Sequence, residues 1–288
     1  MLRIKIFCRS FNLRLYRLSK GLYESWGFPC VRLTDQSADG YFHTMLQDTE
    51  CDIAINVDED CFITSKQNVL ELVNFVVDNN IANAGCPDGG AYTPRGTNPL
   101  VTNPFFNVFN LNLIRAHYSK EAVKQFDYIA HRDEMEAAYP NKMLYEGRNF
   151  SFDIRDTEPY YPFFLWLAYT EKTLYLPSKP HPDRRTTILC NHEGKEMCRH
   201  TWYARFYSVP TIIVKTIQRS ASKQKQRIDA VIKESYEKAG IALPVFSWRD
   251  QCAFALNSIV RWIIKVPQRI LGWPAKIKKK IFQRKQHG

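Results

Sequence analysis

The sequence lacks the features of a membrane-spanning or secreted protein. It contains no stretch of about 18 uninterrupted apolar residues, the length that a membrane-spanning helix requires. Residues 1–7 have too few apolar residues and too much basic charge for a signal peptide, and we interpret them as leading into a first strand. The eight cysteines are scattered, several of them in apolar runs, which favours small core residues in a reducing compartment over a disulfide framework. A cytoplasmic protein is expected.

Acidic residues are absent from the end of the sequence. Residues 251–288 contain nine Lys or Arg and no Asp or Glu, so the remaining 250 residues carry only +2 of the net charge of +11. A nucleic-acid-binding fold more often spreads its basic residues along a groove, and we expect no nucleic-acid partner. Apolar and aromatic residues, from Ile259 and Trp262 to Phe282, interleave with the basic ones. This pattern is typical of a peripheral helix on an anionic membrane, with a solvated or protein-binding helix as the alternative.

The order of the segments predicts an α/β fold. With 288 residues, 45% hydrophobic, the chain allows one large domain or two small ones. Segments that resemble strands alternate with segments of helical periodicity up to residue 86, which favours a mainly parallel sheet flanked by helices. The predicted strands are 3–8, 28–33, 51–57, 81–86, 148–155 and 172–176, and the predicted helices are 13–26, 40–47, 66–79, 111–139, 158–170 and 216–239. Residues 87–110 and 177–199 are rich in Gly, Pro, Asn and other polar residues and are predicted to be loops.

The most informative motif is Asp58-Glu59-Asp60, which follows the apolar segment 51–57 directly. Ligands of open parallel sheets collect at the carboxyl ends of the strands, where this motif would lie. Two carboxylates one residue apart can face the same ligand, and their oxygens suit Mg²⁺ or Mn²⁺. Such a cation would neutralise negative charge on a diphosphate leaving group. The alternative is a solvated acidic turn whose following helix is capped by Thr64 or Ser65.

These features resemble a known family. The strand, the acidic motif and the α/β first half are similar to the nucleotide-sugar-binding half of GT-A glycosyltransferases with their Asp-x-Asp motif. Residues 31–60 resemble bacterial members that build surface polysaccharides. The resemblance covers roughly residues 1–210. It departs from the family at Ile6–Asn12, where a large subfamily has an apolar strand ending in Pro-x-Tyr/Phe-Asn.

The resemblance implies a GT-A-like, Rossmann-related fold and a metal-dependent glycosyltransferase. It would transfer a sugar from a nucleotide-diphosphate sugar to a saccharide or lipid-linked acceptor in surface-polysaccharide synthesis, with Mn²⁺ or Mg²⁺ as cofactor. We accordingly divide the chain into a catalytic domain (1–210, with donor half 1–110 and acceptor half 111–210), a helical extension (211–250) and a basic amphipathic tail (251–288). The tail would hold the protein on the inner face of the cell membrane.

A third metal ligand in such folds often comes from a histidine late in the catalytic domain. His200 is the candidate, because it follows a polar segment and precedes Trp202 and Arg205. It would join Asp58 and Asp60 as metal ligands, while the planar guanidinium of Arg205 could hold a phosphate. His192 and His181 are rivals. A zinc site of Cys190, His192, Cys198 and His200 is a weaker hypothesis, because the one-residue spacing within each pair matches no usual structural zinc site.

Further candidates for donor binding follow other predicted strands. Asp88 could accept a hydrogen bond from a sugar hydroxyl, and Gly89 would permit positive φ or a close backbone approach, although both are also ordinary turn residues. Residues 103–107 could form a wall against the sugar, or Phe105 and Phe106 could anchor the segment to the core. The donor-binding set is Asp35, Asp58, Asp88, Gly89 and Arg205, with Asp39 as a lesser candidate.

A catalytic carboxylate is expected from the second half of the chain. Asp153, Asp156 and Glu158 lie close together before an aromatic segment, and we assign Asp156 and Glu158 as the catalytic candidates. An inverting transferase needs such a group within hydrogen-bond reach of the acceptor hydroxyl. Capping of the following helix by Asp156 or Thr157 is the alternative.

Two other classes of function compete with the transferase. A metal-dependent nucleotidyltransferase or phosphotransferase would also use paired aspartates, but residues 8–21 lack the glycine-rich, basic phosphate loop expected of one. A non-catalytic membrane- or nucleic-acid-binding protein would depend on residues 251–288 alone.

Overall fold

The computed structural model describes residues 2–34, 36, 40–91, 98–139, 152, 158–202, 204, 207, 215–261 and 263. Its strands are β1 (Ile4–Arg9), β2 (Cys30–Leu33), β3 (Ile53–Val57), β4 (Cys61–Ile63), β5 (Asn83–Pro87), β6 (Thr102–Asn110), β7 (Thr173–Tyr175), β8 (Ser178–Pro180), β9 (Thr187–Cys190) and β10 (Glu196–His200). The α-helices are α1 (Leu13–Lys20), α2 (Gly40–Gln47), α3 (Lys66–Asp78), α4 (Leu111–His117), α5 (Lys120–Gln125), α6 (Tyr128–Ala138), α7 (Tyr161–Thr170) and α8 (Lys215–Ala239). Residues 248–261 form a further helix, called here the C-terminal helix.

The central sheet has six strands in the order β2-β1-β3-β6-β5-β7. Only β6 runs against the others, pairing antiparallel with β3 and β5. The predicted mixed α/β architecture with a mainly parallel sheet is therefore confirmed. The carboxyl ends of β1 and β3, which pair in parallel, lie side by side, and the acidic motif follows β3 at that edge.

Burial explains why these segments form the core. All five residues of β3 are buried, as expected for a strand covered on both faces. In α3, four apolar side chains at spacings of three and four residues face inward, and the Ser65 hydroxyl accepts from the N–H of Asn68 to cap the helix. The inward residues are Val69, Leu72, Val73 and Val76. The capping expected of Ser65 is thus present beside the acidic motif.

Two predicted loops contain strands. Residues 102–110 were predicted as loop because of their Asn and Pro content, yet they form the longest strand of the sheet. Its buried amides hydrogen-bond one another: Asn107 Nδ2 donates to Asn83 Oδ1 at 3.2 Å and to Thr102 Oγ1 at 3.0 Å. A bulge in the pairing with β5 accommodates residues 103–106, including Pro104. The loop prediction for 87–110 was therefore wrong over β6.

The second wrong loop is residues 177–199. This segment supplies β8, β9 and β10, which join β4 in a four-stranded antiparallel sheet of order β4-β10-β9-β8. The strands are short and carry polar residues on their outer positions, which hides their periodicity. The predicted helix 13–26 also divides, into α1 and a short 3₁₀ helix (Glu24–Trp26), and Gly27 follows at φ 85°.

The remaining segments agree with expectation where the structure describes them. Residues 111–139 hold three helices, α4 to α6, and α8 matches the predicted helix 216–239 closely. The predicted strand 148–155 lies outside the described residues apart from Phe152. Within the described part of the chain, none of the helices combines the length and hydropathy that crossing a membrane would demand.

Candidate metal centre

The acidic motif forms a tight turn between β3 and β4. The Asp58 N–H donates to the Phe105 carbonyl of β6 at 2.8 Å, and the Cys61 N–H closes the turn on the Asp58 carbonyl at 3.0 Å. The turn brings ligand atoms of Asp58 and Asp60 together with a ring nitrogen of His200, all within 4.8 Å of one another. The three residues predicted as metal ligands are thus brought into one cluster, hereafter the acidic triad.

Strand pairing brings His200 to the turn across 140 residues of sequence. In the antiparallel pair of β10 and β4, His200 lies opposite Cys61, the residue after Asp60. The Thr201 N–H also donates to the Asp60 carbonyl at 3.0 Å. The imidazole Nε2 is 3.2 Å from Asp60 Oδ1. The position of the imidazole is therefore set by backbone hydrogen bonds on both sides of the site.

Aromatic packing fixes the orientation of the His200 ring. The ring stacks on Phe105 with centroids 4.3 Å apart and an interplanar angle of 10°, and it contacts Trp202 at 4.2 Å. Its Nδ1 atom is buried and finds no hydrogen-bond partner among the described residues. Phe105 packs on one face of the imidazole and Trp202 lies to its side, so the two aromatic side chains restrict how the ring can turn.

The electrostatics of the triad favour a bound cation. Burial raises the pKa of Asp58 to about 6, and the negative charge of Asp60 adds to this effect while Arg9 and His200 oppose it. The pKa of Asp60 is lowered: burial opposes its ionisation, but the charge and the hydrogen bond of His200 outweigh that cost. Two carboxylates this close repel each other when both are ionised, and a divalent cation between them would relieve that repulsion. Two carboxylates and one imidazole form a donor set that could hold a divalent metal ion.

Glu59, the middle residue of the motif, faces away from the triad. One of its oxygens accepts from Ser10 Oγ at 2.9 Å and from the N–H groups of Phe11 and Asn12 at 2.8 and 2.6 Å. Burial raises its pKa to about 7, although the Asn12 hydrogen bond and the Arg261 charge oppose the shift. Glu59 therefore ties the loop after β1 to the acidic turn.

The rival histidines lie elsewhere. His181 is buried and bonds Glu234 of α8 at 2.9 Å through Nε2, while His192 stacks on Phe75 of α3 with centroids 4.0 Å apart. Among the described residues the metal-type cluster contains neither of them, nor any cysteine. The alternatives left open for the third ligand, and the zinc hypothesis with them, find no support in this geometry.

Asp88 lies at the end of β5 in a saturated hydrogen-bond network. Its carboxylate accepts from the hydroxyls of Tyr160 and Tyr161 at 3.0 and 2.7 Å, from the Gly89 N–H at 2.9 Å, and from the Asn103 side-chain amide. The residue is 1% exposed. Gly89 has φ 83°, which is the positive φ expected of it. The structure shows how these two residues shape the loop, and their contact with a donor sugar stays a prediction.

The other predicted residues divide into two groups. Phe105 and Phe106 are fully buried, so they anchor β6 rather than line an open wall. Glu158 is exposed and stands just before α7, where its carbonyl accepts from the Tyr161 N–H at 3.0 Å. The remaining predicted site residues, namely Asp35, Asp39, Asp153, Asp156 and Arg205, lie outside the described residues.

Sequence reasoning missed an arginine beside the triad. Arg9 ends β1, and its guanidinium lies 3.9 Å from Asp58 and over the rings of Phe11 and Tyr41, at 5.6 and 5.3 Å from their centroids. The side chain is largely buried at the carboxyl edge of the sheet. The sequence shows an arginine at the end of the first strand and a carboxylate motif after the third. The parallel pairing of β1 with β3 is what brings the two together.

Comparisons with known proteins add little to this geometry. No protein-family profile matches the chain, and no curated protein has a matching sequence. Among solved structures, the crystal structure of A197 from STIV is similar with a TM-score of 0.33 and 10% identity, over 68% of this chain and 93% of that chain.

Proposed function

We propose that this protein is a metal-dependent glycosyltransferase with a GT-A-like fold. It would transfer a sugar from a nucleotide-diphosphate donor to a saccharide or lipid-linked acceptor, as in the synthesis of surface polysaccharides. The observation that carries the proposal is the acidic triad of Asp58, Asp60 and His200 at the carboxyl edge of a mainly parallel sheet. Ligands of open α/β sheets bind at that edge.

Each residue around the triad has a definable part in this function. Asp58, Asp60 and His200 would hold Mn²⁺ or Mg²⁺, and the cation would neutralise charge on the diphosphate of the donor. Arg9 presents a second positive charge at the same edge, 3.9 Å from Asp58, where its planar guanidinium suits a phosphate. Phe105 and Trp202 hold the imidazole in place. Glu59 holds residues 10–12 against the site.

Glu158 and Asp156, which precede α7, remain the proposed sources of a carboxylate that would take a proton from the acceptor hydroxyl. An inverting reaction requires such a group, and a retaining one does not. The exposure of Glu158 is compatible with contact to an acceptor entering from solvent.

The direct test is binding and turnover with defined ligands. The purified chain is screened by thermal shift against uridine, guanosine and cytidine diphosphates and their sugars, with and without Mn²⁺. We expect one nucleotide family to stabilise the protein only when Mn²⁺ is present, and the matching nucleotide sugar to be hydrolysed slowly. Stabilisation by nucleoside triphosphates with release of pyrophosphate would instead identify a nucleotidyltransferase. The proposal would be overturned if no nucleotide or nucleotide sugar stabilised the protein, with or without Mn²⁺.

A further inference from the structure

The C-terminal helix has a well-defined start and a docked inner face. Ser247 and Asp250 cap it reciprocally: the Ser247 hydroxyl and N–H donate to Asp250 Oδ2 at 2.7 and 3.0 Å, and the Asp250 N–H donates back to Ser247 Oγ at 3.3 Å. Phe254 is 6% exposed, and it packs under Arg14 and Arg17 of α1 and against Phe246. The helix is therefore part of the folded body.

The docking contacts also give the direction of the helix. Its first turn meets the middle of α1, where Arg17 pairs with Asp250. Farther along, Asn257 Oδ1 accepts from the Leu13 N–H, the first of α1, at 3.0 Å. The residue before Leu13, Asn12, donates its N–H to Glu59 of the acidic turn at 2.6 Å. The helix thus runs antiparallel to α1, and Asn257 in its second half lies at the start of α1, next to the loop that follows β1.

The opposite face of this helix is apolar and exposed. At 100° per residue, side chains at spacings of three and four residues share a face, and the exposed apolar residues follow that spacing on the side away from Phe254 and Asn257. We call them the outer stripe: Trp248, Cys252, Leu256, Ile259 and Ile263. Leu256 is 63% exposed, Trp248 72% and Ile263 57%. A row of this size on one helix is unusual for a surface that faces only water.

Charge indicates what would cover the stripe. From residue 251 onward the sequence has nine Lys or Arg and no Asp or Glu. A protein partner would have to be strongly acidic as well as apolar, whereas an anionic bilayer offers both properties in one surface. Tryptophan at the start of the stripe suits the interface between headgroups and acyl chains.

We propose that the outer stripe is the surface by which this protein binds an anionic lipid bilayer, with its apolar side chains in the interface and the basic residues on lipid headgroups. Because the second half of the helix lies against the start of α1, next to the loop after β1, binding would bring the carboxyl edge of the sheet close to the membrane. It follows, for the transferase proposed above, that the acceptor is carried on a membrane lipid. That last step alone rests on the proposed function.

The test is co-sedimentation of the full chain with lipid vesicles. Phosphatidylcholine vesicles containing phosphatidylglycerol are compared with vesicles of phosphatidylcholine alone, at low and high salt. We expect binding only to the anionic vesicles, weakening as salt rises. The variant Leu256→Asp should bind about tenfold or more weakly, since a leucine side chain loses its transfer into the apolar layer. The matched control is Ile129→Asp on α6, because Ile129 is also 63% exposed, and its binding should be unchanged.

Three outcomes would overturn the proposal. The wild-type chain could fail to bind anionic vesicles, or the two aspartate variants could weaken binding equally. Alternatively, light scattering could show a dimer in the absence of lipid that Leu256→Asp converts to a monomer, which would assign the stripe to a second copy of the chain. The Mn²⁺-dependent thermal shift with nucleotides, measured without vesicles, reports the proposed transferase function separately, so each proposal can fail without the other.

Discussion

Two strands of the central sheet that β6 separates, β3 and β5, are each followed by carboxylates, and the two sites are built in opposite ways. At the end of β5, Asp88 receives hydrogen bonds from two tyrosine hydroxyls, a backbone N–H and an asparagine amide. At the end of β3, Asp58 and Asp60 lie close to each other and to the His200 imidazole. The Arg9 guanidinium is 3.9 Å from Asp58. The first carboxylate is satisfied by the protein, whereas in the second pair burial and the negative charge of Asp60 raise the pKa of Asp58.

The difference separates a structural carboxylate from a ligand site. A buried carboxylate with a full set of donors stabilises the loops that surround it, and disrupting the network is costly. Two close carboxylates cost stability in the empty protein, and they are tolerated where a cation or substrate repays that cost. Aspartates at the same edge of the sheet thus have two different roles, one structural and one in ligand binding. The number of protein hydrogen-bond donors around each carboxylate distinguishes these roles.

The largest expected effect is that of Asp60→Asn. It removes one anionic ligand of the triad while keeping the shape of the side chain. We expect Mn²⁺ affinity and Mn²⁺-dependent turnover of the donor to fall by about 100-fold or more, since even mutations of groups that only support metal ligands cost 10–100-fold. Isothermal titration with Mn²⁺ checks this. Unchanged Mn²⁺ affinity would contradict the assignment of the triad.

Asp88→Asn should show the reverse pattern. The amide nitrogen cannot accept, so either the Tyr161 hydroxyl on Oδ2 or the three donors on Oδ1, from Tyr160, Gly89 and Asn103, lose their acceptor. We expect the free energy of unfolding to fall by about 2–3 kcal/mol, as for loss of a hydrogen bond to a buried charged group. Urea denaturation measures it. Mn²⁺ binding should persist in the variant, and its loss would show that the two sites are coupled rather than separate.

Glu59 belongs to the acidic motif but, like Asp88, accepts several hydrogen bonds from the protein. Its role can be tested by a matched pair of variants. Glu59→Ala removes the acceptor of the Phe11 and Asn12 N–H groups, and we expect a loss of about 2 kcal/mol in the free energy of unfolding. Glu59→Gln keeps an acceptor oxygen and removes a charge that burial disfavours, so it should be close to the wild type at pH 8. Urea denaturation of both variants checks this. Equal destabilisation of the two would mean that the charge itself holds the loop.

The pH dependence of metal binding gives a smaller effect. Because burial and the Asp60 charge raise the pKa of Asp58 to about 6, protons compete with the cation below that pH. We expect Mn²⁺ affinity to fall by up to about tenfold per pH unit from pH 6 to pH 5, measured by isothermal titration. Affinity that is flat across this interval would contradict direct coordination by Asp58.

The stability of the metal-free protein should respond to the same carboxyl in the opposite sense. Its pKa in the folded state, about 6, lies above the unfolded value of about 3.9, so the folded chain binds the extra proton between these two values. The contribution of Asp58 to the free energy of unfolding therefore falls as pH rises through this interval. Denaturation of the wild type and Asp58→Asn at pH 4.5 and 7 isolates it, because the asparagine variant lacks the titration.

The sequence predicted those parts of the molecule that depend on local patterns. The buried apolar strand before Asp58, the amphipathic spacing of α3 and the Ser65 cap all reflect contacts within a few residues. His200 was predicted from a family resemblance, and the strand pairing that places it lay within a segment predicted as loop. Local periodicity was therefore informative for residues 1–86 and poor for β6 and for the short strands β8 to β10.

The errors arose where distant residues satisfy one another. Strand β6 resembles a loop because it is rich in asparagine, yet Asn107 bonds Asn83 and Thr102 across the sheet. Arg9 and Glu59 were overlooked for the same reason, since each acquires its role from a partner on another loop. An isolated sequence does not reveal which polar residues will find such partners.

The antiparallel pairing of His200 with Cys61 has a consequence for how relatives of this protein could be found. The pairing of His200 with Cys61 places the imidazole beside Asp60. A shift of one residue in the register of either strand would turn the ring to the other side of the sheet. Lengthening any loop between residues 64 and 195 would leave this pairing unchanged. Searches for related proteins should therefore require this antiparallel strand pair beside the acidic turn and allow any number of residues between its two strands.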